Sequence, residues 1–211
     1  MGNRNFDKDI QSVIREHPKL KYDEISNRLF GEITVDVNDE YEVEIDLSPF
    51  PQGFPIVKEV GERIPPIADR HIYTDSLSCC FDTKAHENIL MKTKVKTIQD
   101  FINKIVVPYF QNQSYYEING RYKHGEYAHG VVGTIEGYQD ILKVKDIRII
   151  CLMLFGRINN HEIGRNDKCY CGSERKIKKC HRNPYREFQQ IDISTIRADF
   201  ISIGTAMLLR A

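Results

Sequence analysis

The sequence predicts an α+β fold, in which helices cover one face of an antiparallel sheet, followed by a small C-terminal module. Three observations predict it. Apolar and charged residues alternate between residues 29 and 48, apolar residues recur at helical spacing from residue 95 onward, and four residues of types that bind metals cluster within residues 169–181. The chain has 211 residues, of which 41% are hydrophobic. A chain of this size and composition can bury a substantial core.

The first predicted element is a helix that ends before Pro18. Phe6, Ile10, Val13 and Ile14 recur at helical spacing, which places them on one helix face. The next stretch, KYDEISNRLF, is interpreted as a short helical turn.

A β-hairpin is predicted next. The segments LFGEITVDV and YEVEIDLS alternate apolar and charged residues, and Asn38-Asp39 separates them. This pattern predicts a hairpin with one face in the core and the other in water. FPIVKEV, after a proline-rich link, is predicted as the third strand, and the segment that holds Cys79 and Cys80 is the next extended piece.

Helices dominate the remainder. Residues 95 to about 112 are predicted to form an amphipathic helix, because apolar residues recur there at helical spacing: Ile98, Phe101, Ile102, Ile105 and Val106. A second helix is predicted from about Thr134 to Gly156, and Cys151 within it is interpreted as a buried small residue. Residues 157–164 have linker composition. The predicted domains are therefore residues 1–156, with the sheet and a helical extension, and residues 165–211, with the C-terminal module and a helix.

The charges are unevenly distributed, although the formal net charge is zero. Residues 1–48 carry twelve acidic and six basic residues, whereas residues 157–186 carry nine basic and three acidic residues. A basic stretch can bind nucleic acid or acidic protein surfaces, but it is more often a solvated face. Because few aromatic residues interleave with the basic residues of the tail, we rank nucleic-acid binding last.

Apolar runs and the N-terminal residues bear on localisation. No apolar run reaches the roughly 18 to 20 residues that a membrane span needs, and the N-terminal residues lack the layout of a signal peptide. We therefore expect a cytoplasmic protein with no membrane partner. In a reducing compartment, clustered cysteines indicate a metal site or a nucleophile rather than disulfides.

The C-terminal cysteines predict a structural zinc site. Cys169 and Cys171 form a C-x-C pair, and Cys180 and His181 follow after eight residues. Zinc prefers four such ligands in a tetrahedron, and a Cys3His set leaves no open position. A module this small buries too little surface to fold alone, so metal ligation would supply most of its stability.

The run GRNDKCYCGSERKIKKCH closely resembles the SEC-C motif, the zinc-binding tail first known from the bacterial preprotein translocase ATPase. All four ligand positions match, as do the Gly-Arg-Asn-Asp lead-in and the Cys-Gly-Ser turn. The resemblance covers residues 164–181 only. It implies zinc, and in that family the module docks onto partners of various kinds.

The first 115 residues resemble the ubiquitin-conjugating (UBC) enzyme fold. The aromatic-proline pairs at residues 50–51 and 54–55 match those that flank the family's third strand. His71 precedes Cys80 by nine residues, as a histidine precedes the catalytic cysteine of the family, and LSCCFD fits the setting of that cysteine. The helix predicted from residue 95 stands where the family has its post-cysteine helix.

The sequence departs from the pattern of the UBC family in two places, and these departures are similar to those of divergent bacterial relatives. The family's His-Pro-Asn triplet reads HIY here, so the asparagine credited with supporting the oxyanion is missing, and no glycine precedes Ser78. Such relatives carry SEC-C tails and a loop like His129-Gly130, and they are often placed in antiphage defence systems. The resemblance implies a thioester transferase that takes a ubiquitin-like or other protein C-terminus from an activating enzyme and passes it to an amine of a protein target.

Alternation along the segment separates the two adjacent cysteines. Neighbouring side chains of an extended segment point to opposite faces, so only one sulfur can face a cleft. If Cys80 points outward, Cys79 and Phe81 point inward as apolar neighbours. If Cys79 points outward, the Ser78 hydroxyl needs a buried partner. This favours Cys80 as the nucleophile, and the alternative is a pair of buried structural thiols in an inactive domain.

His71 and Asp82 complete the candidate catalytic set. His71 is expected to orient the segment by hydrogen bonding to backbone rather than to act as a base, and Asp82 is a candidate electrostatic partner for an attacking lysine. His124 and His129 lie in the loop KHGEYAHG, which either roofs the cysteine or simply turns at its glycines. The hypothesis from another class is a non-catalytic zinc-binding adaptor with a UBC-like or RWD-like domain.

Overall fold

The computed structural model of the protein describes residues 4–123 and 125–209, with side chains from residue 6 onward. His124 of the KHGEYAHG loop lies outside the described residues. Contacts divide the chain into two compact units. The sheet unit contains the residues up to Phe81 together with Leu90–Glu126, and the helical unit contains Asp82–Ile89 together with the residues from Tyr127 onward.

The secondary structure of the described residues consists of four strands and eight α-helices. The strands are β1 (Leu20–Asp23), β2 (Arg28–Asp36), β3 (Asp39–Asp46) and β4 (Ile56–Glu59). The helices are α1 (Arg4–Glu16), α2 (Lys84–Thr93), α3 (Ile98–Phe101), α4 (Val107–Asn119), α5 (Gly130–Leu142), α6 (Ile147–Ile158), α7 (Arg182–Phe188) and α8 (Ile193–Leu208). A π-helical turn (Ile102–Val106) joins α3 to α4, and two 3-10 turns span Ala68–Arg70 and Ile177–Lys179.

The four strands form one antiparallel sheet in the order β1-β2-β3-β4. Along β2, Leu29, Ile33 and Val35 are buried, whereas Glu32 and Thr34 are exposed. This is the alternation of a sheet with one face in the core and one in water. The predicted α+β class and the predicted β2–β3 hairpin are therefore confirmed.

Helices α1, α3 and α4 pack on the buried face of the sheet. Tyr41 of β3 stacks on Phe110 of α4 with ring centroids 4.5 Å apart, and both side chains are almost fully buried. The predicted first helix is confirmed as α1, which buries Ile10 and Val13. The helix predicted from residue 95 is also confirmed: it begins after Thr97, whose hydroxyl caps it, and continues through α4.

Three details of the sheet unit differ from the predictions. KYDEISNRLF is not a helical turn: Leu20–Asp23 pairs with the start of β2, and Asn27 turns between them at φ 53°. FPIVKEV contains a strand as predicted, but it is the fourth because β1 precedes it. The cysteine segment is less extended than predicted: among the described residues it forms no strand and has a single β-bridge, between Ile72 and Cys79.

The helix predicted over residues 134–156 is two helices, α5 and α6. Lys143 adopts the left-handed conformation at φ 55° and ends α5. Asp146 begins α6, because its carboxylate accepts the Arg148 N–H at 2.9 Å. Cys151 in α6 is partly buried rather than fully buried.

Helices α5 to α8 enclose the core of the helical unit. Tyr138 of α5, Leu154 of α6, Phe188 of α7 and Ile203 of α8 are all buried there. This places α5 and α6 in one unit with the C-terminal cysteines, whereas the sequence predicted a boundary within residues 157–164. The predicted domains, residues 1–156 and 165–211 with a linker over residues 157–164, stay a prediction. No helix among the described residues is both long and apolar enough to cross a membrane.

Candidate functional site

A short hairpin carries the adjacent cysteines in the sheet unit. Ile72 and Cys79 form an antiparallel bridge, and the Tyr73 N–H donates to the Ser78 carbonyl at 2.9 Å. The Cys79 N–H donates to the Val57 carbonyl of β4 at 2.8 Å. The hairpin is therefore attached to the edge of the sheet, which fixes its backbone.

Cys79 belongs to the hydrophobic core. It exposes 6% of its surface, and burial raises the pKa of its thiol to about 12, although a hydrogen bond with Tyr109 opposes the shift. A thiol with such a pKa is protonated at neutral pH and is a poor nucleophile. Ser78 is buried as well and bonds to Ser76 at 2.8 Å between the two Oγ atoms, so strict alternation of burial does not hold at Ser78.

Cys80 is partly exposed. Its N–H donates to the His71 carbonyl at 2.7 Å. On its other side Phe81 packs edge-to-face on Phe101, with ring centroids 5.7 Å apart. Because Cys79 and Phe81 are both anchored in the core, the backbone of Cys80 is held while its side chain reaches the surface. Its role as the nucleophile stays a prediction.

His71 contributes its carbonyl to the hairpin. Its backbone is left-handed at φ 51°, and its carbonyl accepts the Tyr109 hydroxyl at 2.9 Å in addition to the Cys80 N–H. Its Nε2 lies 2.8 Å from the Glu126 carboxylate, and its ring lies 4.9 Å from that of Tyr122. The backbone of His71 thus orients the cysteine segment, and a catalytic role for its side chain stays a prediction.

Asp82 belongs to the helical unit, where it lies two residues before α2. Its Oδ1 accepts the Thr83 N–H at 2.7 Å and lies 2.9 Å from His86 Nδ1. The His86 ring stacks on Tyr127 at 5.8 Å, and the Tyr127 hydroxyl donates to Asp140 at 2.7 Å. The structure thus joins Asp82 to a histidine that the sequence did not single out, and its predicted role toward a lysine stays a prediction.

The glycines of the KHGEYAHG loop favour the simpler of its two interpretations. Gly125 and Gly130 have φ values of 76° and 65°, which residues other than glycine rarely adopt. His129 stands at the N-cap position of α5 and makes no side-chain cap. The loop therefore turns at its glycines and leads into α5.

The C-terminal ligand residues converge in the helical unit. The ligand atoms of Cys169, Cys171, Cys180 and His181 all lie within 4.8 Å of one another. His181 Nδ1 lies 3.4 Å from the Cys169 sulfur and 3.1 Å from the Cys180 sulfur, which is 3.6 Å from the Cys171 sulfur. Tetrahedral zinc, with Zn–S of about 2.3 Å and Zn–N of about 2.0 Å, places its ligand atoms about 3.5–3.8 Å apart. The cluster could therefore hold a metal ion, and its donor set fits zinc.

Local backbone bonds bring the two ligand pairs together. Lys168 and Lys176 form an antiparallel bridge, and the Cys169 N–H donates to the Arg175 carbonyl at 2.8 Å. Between them Gly172, at φ 76°, reverses the chain and donates to the Cys169 carbonyl at 3.3 Å. The glycine of the sequence motif is thus required by the backbone of the turn.

Hydrogen-bonding groups surround the sulfur atoms. Arg175 Nη2 donates to the Cys180 sulfur at 3.1 Å, and Ser173 Oγ lies 3.2 Å from the Cys171 sulfur. Burial raises the pKa of Cys169 to about 11. Burial also opposes ionisation of Cys171, but hydrogen bonds with Ser173 lower the pKa of Cys171 to about 6. Such bonds stabilise thiolate, the form that binds zinc.

No family model, curated protein or solved structure matches the chain. The four-stranded α+β fold and the Cys3His cluster therefore rest on the chain's own geometry. The likeness to UBC enzymes and to the SEC-C motif stays an interpretation of the sequence.

Two residues at these sites escaped the sequence analysis for different reasons. Tyr109 bonds to the His71 carbonyl across 38 residues of chain, and no local pattern indicates such a contact. His86 follows Asp82 by four residues at a helix start, a spacing that brings side chains together. The pair would have been recognisable if α2 had been predicted.

Proposed function

We propose that the protein carries a protein C-terminus as a thioester on Cys80 and transfers it to an amine of a target protein. The contrast within the hairpin is the main support. Cys79 is buried and its pKa is raised to about 12, whereas Cys80 is partly exposed on a backbone held by the His71 carbonyl. A cysteine that exchanges acyl groups with other proteins needs both access and a fixed position.

The reaction consists of two acyl transfers. The Cys80 thiolate attacks the carbonyl carbon of a C-terminus that an activating enzyme holds as a thioester. A new C–S bond forms, and the enzyme's sulfur leaves with the electrons of the old one. An amine of the target then attacks the same carbon, the C–N bond forms, and Cys80 leaves as thiolate while the amine's proton passes to solvent. The acyl group thus ends on the amine, and Cys80 returns to the thiolate form in which it began.

Zinc enters the proposal as a structural cofactor. Cys169, Cys171, Cys180 and His181 would fill its coordination shell, so it would organise the fold rather than bind substrate. We assign the surrounding module the recruitment of a protein partner or target, which agrees with its excess of basic side chains.

Intact-mass analysis of a Cys80→Ser variant tests the proposal. An alcohol at this position should trap the acyl group as an ester, so the variant purified from cells that hold the neighbouring genes should carry an added protein mass. Cys79→Ser is the matched control and should carry no trapped mass. Loss of transfer in Cys79→Ser together with full transfer in Cys80→Ser would show that Cys79, and not Cys80, is the nucleophile.

A non-catalytic adaptor with a UBC-like or RWD-like domain is the second candidate. The sequence HIY offers no amide side chain beside Cys80 to support an oxyanion. The His71 imidazole and the Asp82 carboxylate are each paired with another side chain. An adaptor predicts no added mass on Cys80→Ser and undiminished partner binding by that variant.

A further inference from the structure

Helices α6 and α8 share an apolar surface that the described residues leave exposed. Leu152 and Phe155 of α6 expose 68% and 54% of their surfaces, and Ile201 and Leu208 of α8 expose 67% and 80%. Single exposed apolar residues are ordinary, but a contiguous group of them marks a binding surface.

Two contacts show that the exposed flanks of these helices adjoin. The Phe155 ring lies 6.1 Å from the Phe200 ring, and the Cys151 sulfur lies 4.0 Å from the Met207 sulfur. An early residue of α6 thus meets a late residue of α8, so the helices run antiparallel. We call the surface formed by Leu152, Phe155, Ile201, Gly204, Met207 and Leu208 the α6–α8 face.

Gly204 gives this face a notch. It lies inside α8, and apart from its chain neighbours and the backbone of its own helix, no described heavy atom lies within 4 Å of the position that a Cβ would occupy. Glycine inside a helix costs about 1 kcal/mol relative to alanine, and packing within the described structure does not require it here. Ile201 and Leu208 flank it at i−3 and i+4, on the same side of the helix. A second helix could therefore approach α8 closely at this point.

We propose that the α6–α8 face is the contact surface of a homodimer, in which it packs against the same face of a second copy. Its five large side chains expose between 42% and 80% of their surfaces, which amounts to roughly 450–600 Å² if a fully exposed large residue offers about 150–200 Å². A standard interface buries about 800 Å² per partner, of which about 65% is apolar in homodimers. The face therefore supplies the apolar area that one subunit of a stable dimer needs.

Symmetry and charge select a second copy as the occupant. A two-fold rotation would pack these two antiparallel helices against the same two helices of the second copy, and the four helices would form a bundle. The face as defined contains no charged residue. At its α6 end, Arg148 is paired with Asp146 at 2.8 Å, so this end of two copies can meet without unbalanced charge. Arg197, one turn before Ile201, is exposed and marks the edge.

Sedimentation equilibrium of the full chain with zinc tests the proposal. We expect a dimer whose fraction rises with concentration. Ile201→Glu should weaken it at least about tenfold, equal to about 1.4 kcal/mol, because each copy would bring a carboxylate into the contact. The matched control is Ile118→Glu in the sheet unit, which changes an equally apolar side chain that is 83% exposed and should leave the dimer unchanged.

A second variant guards against a folding defect. Leu152→Lys changes the other helix of the face and should weaken the dimer as Ile201→Glu does, with unaltered circular dichroism and zinc content in both variants. A chain that stays monomeric at high protein concentration would overturn the proposal. So would a dimer that survives both substitutions, or a face that binds a helix of another protein while the chain stays monomeric.

Discussion

The two units place their cysteines in opposite ways. In the sheet unit Cys79 and Cys80 are adjacent in sequence, yet the fold separates them into a core thiol and a partly exposed thiol. In the helical unit Cys169 and Cys180 are eleven residues apart, yet their ligand atoms lie within 4.8 Å. Position in sequence therefore says little about what a cysteine can do. In the sheet unit the burial of each thiol decides its role, and in the helical unit the convergence of the ligand residues does.

The difference extends to how each site is stabilised. The hairpin of Cys79 is hydrogen-bonded to the edge strand of the sheet. The core beneath that sheet contains Tyr41, Ile45 and Phe110, which are all almost fully buried. The cluster of the helical unit instead brings three sulfurs together in a turn, where a bound cation would stabilise their thiolate forms. We therefore expect the cysteine hairpin to depend on packing and the cluster to depend on metal.

The largest effect should come from removing one ligand of the cluster. We expect Cys180→Ser to abolish zinc binding and to expose the amides around the cluster, because structural zinc in small modules contributes on the order of 10 kcal/mol. Elemental analysis and hydrogen exchange would measure both changes. Cys151→Ser, in the same unit but outside the ligand set, should keep its zinc. Full zinc content in Cys180→Ser would mean that another set of residues binds the ion.

Alkylation should distinguish the adjacent thiols, because folding protects only Cys79. At pH 7 a thiol with the Cys79 pKa of about 12 is ionised in about one molecule in 10⁵, against about one in 30 for a thiol with the ordinary pKa of an unfolded chain. We expect iodoacetamide to label Cys80 first, and to label Cys79 about 10³-fold more slowly in the folded protein than in urea, with the Cys79 rate rising as pH rises toward 12. Peptide mass mapping would follow both sites. Equal labelling in urea is the control, and equal labelling of the folded protein would contradict the assigned burial.

Truncating the sheet core should cost less than losing the metal but should spare the cluster. Ile45 is fully buried in the central strand β3, so Ile45→Ala should destabilise the sheet unit by about 2–4 kcal/mol. Urea unfolding would measure this, with zinc content expected to stay unchanged. Glu42→Ala, on the exposed face of the same strand, should change stability by less than about 0.5 kcal/mol. Zinc loss in Ile45→Ala would show that the two sites are not stabilised separately.

The smallest effect concerns the hydroxyl that steadies the hairpin. Tyr109→Phe removes the bond to the His71 carbonyl and should cost about 1 kcal/mol in urea unfolding. Tyr115→Phe is the control, since the Tyr115 hydroxyl makes no hydrogen bond to any described residue. Equal effects of the two substitutions would show that the Tyr109 hydroxyl does not stabilise the hairpin.

Regular patterns made much of the sheet unit predictable. The alternation around Ile33 and Ile45 fixed the β2–β3 hairpin, and helical spacing around Phe101 fixed the long helix. Strand β1 was missed because four residues are too few to display alternation. The break at Lys143 was missed because a left-handed lysine has no sequence signal comparable to glycine.

The two sites differed in how much of their structure could be predicted from the sequence. The ligand set could be predicted because structural zinc takes four Cys or His ligands, and short spacing brings such residues together. The burial of Cys79 followed from its apolar neighbour Phe81, but the buried Ser78 broke the simple alternation. The carbonyl of His71 and its partner Tyr109 depend on contacts between distant segments, which no local pattern specifies.

The separation of the adjacent thiols also has a redox consequence. For Cys79 and Cys80 to close into a ring by oxidation, both sulfurs must lie on the same side of the chain, and the Cys79 sulfur would have to leave the core. Of these two thiols, oxidants should therefore reach only Cys80 and convert it to sulfenic acid or to a mixed disulfide with a small thiol, both of which cellular reductants reverse. The hairpin thus shields the exposed thiol from being consumed by its own neighbour.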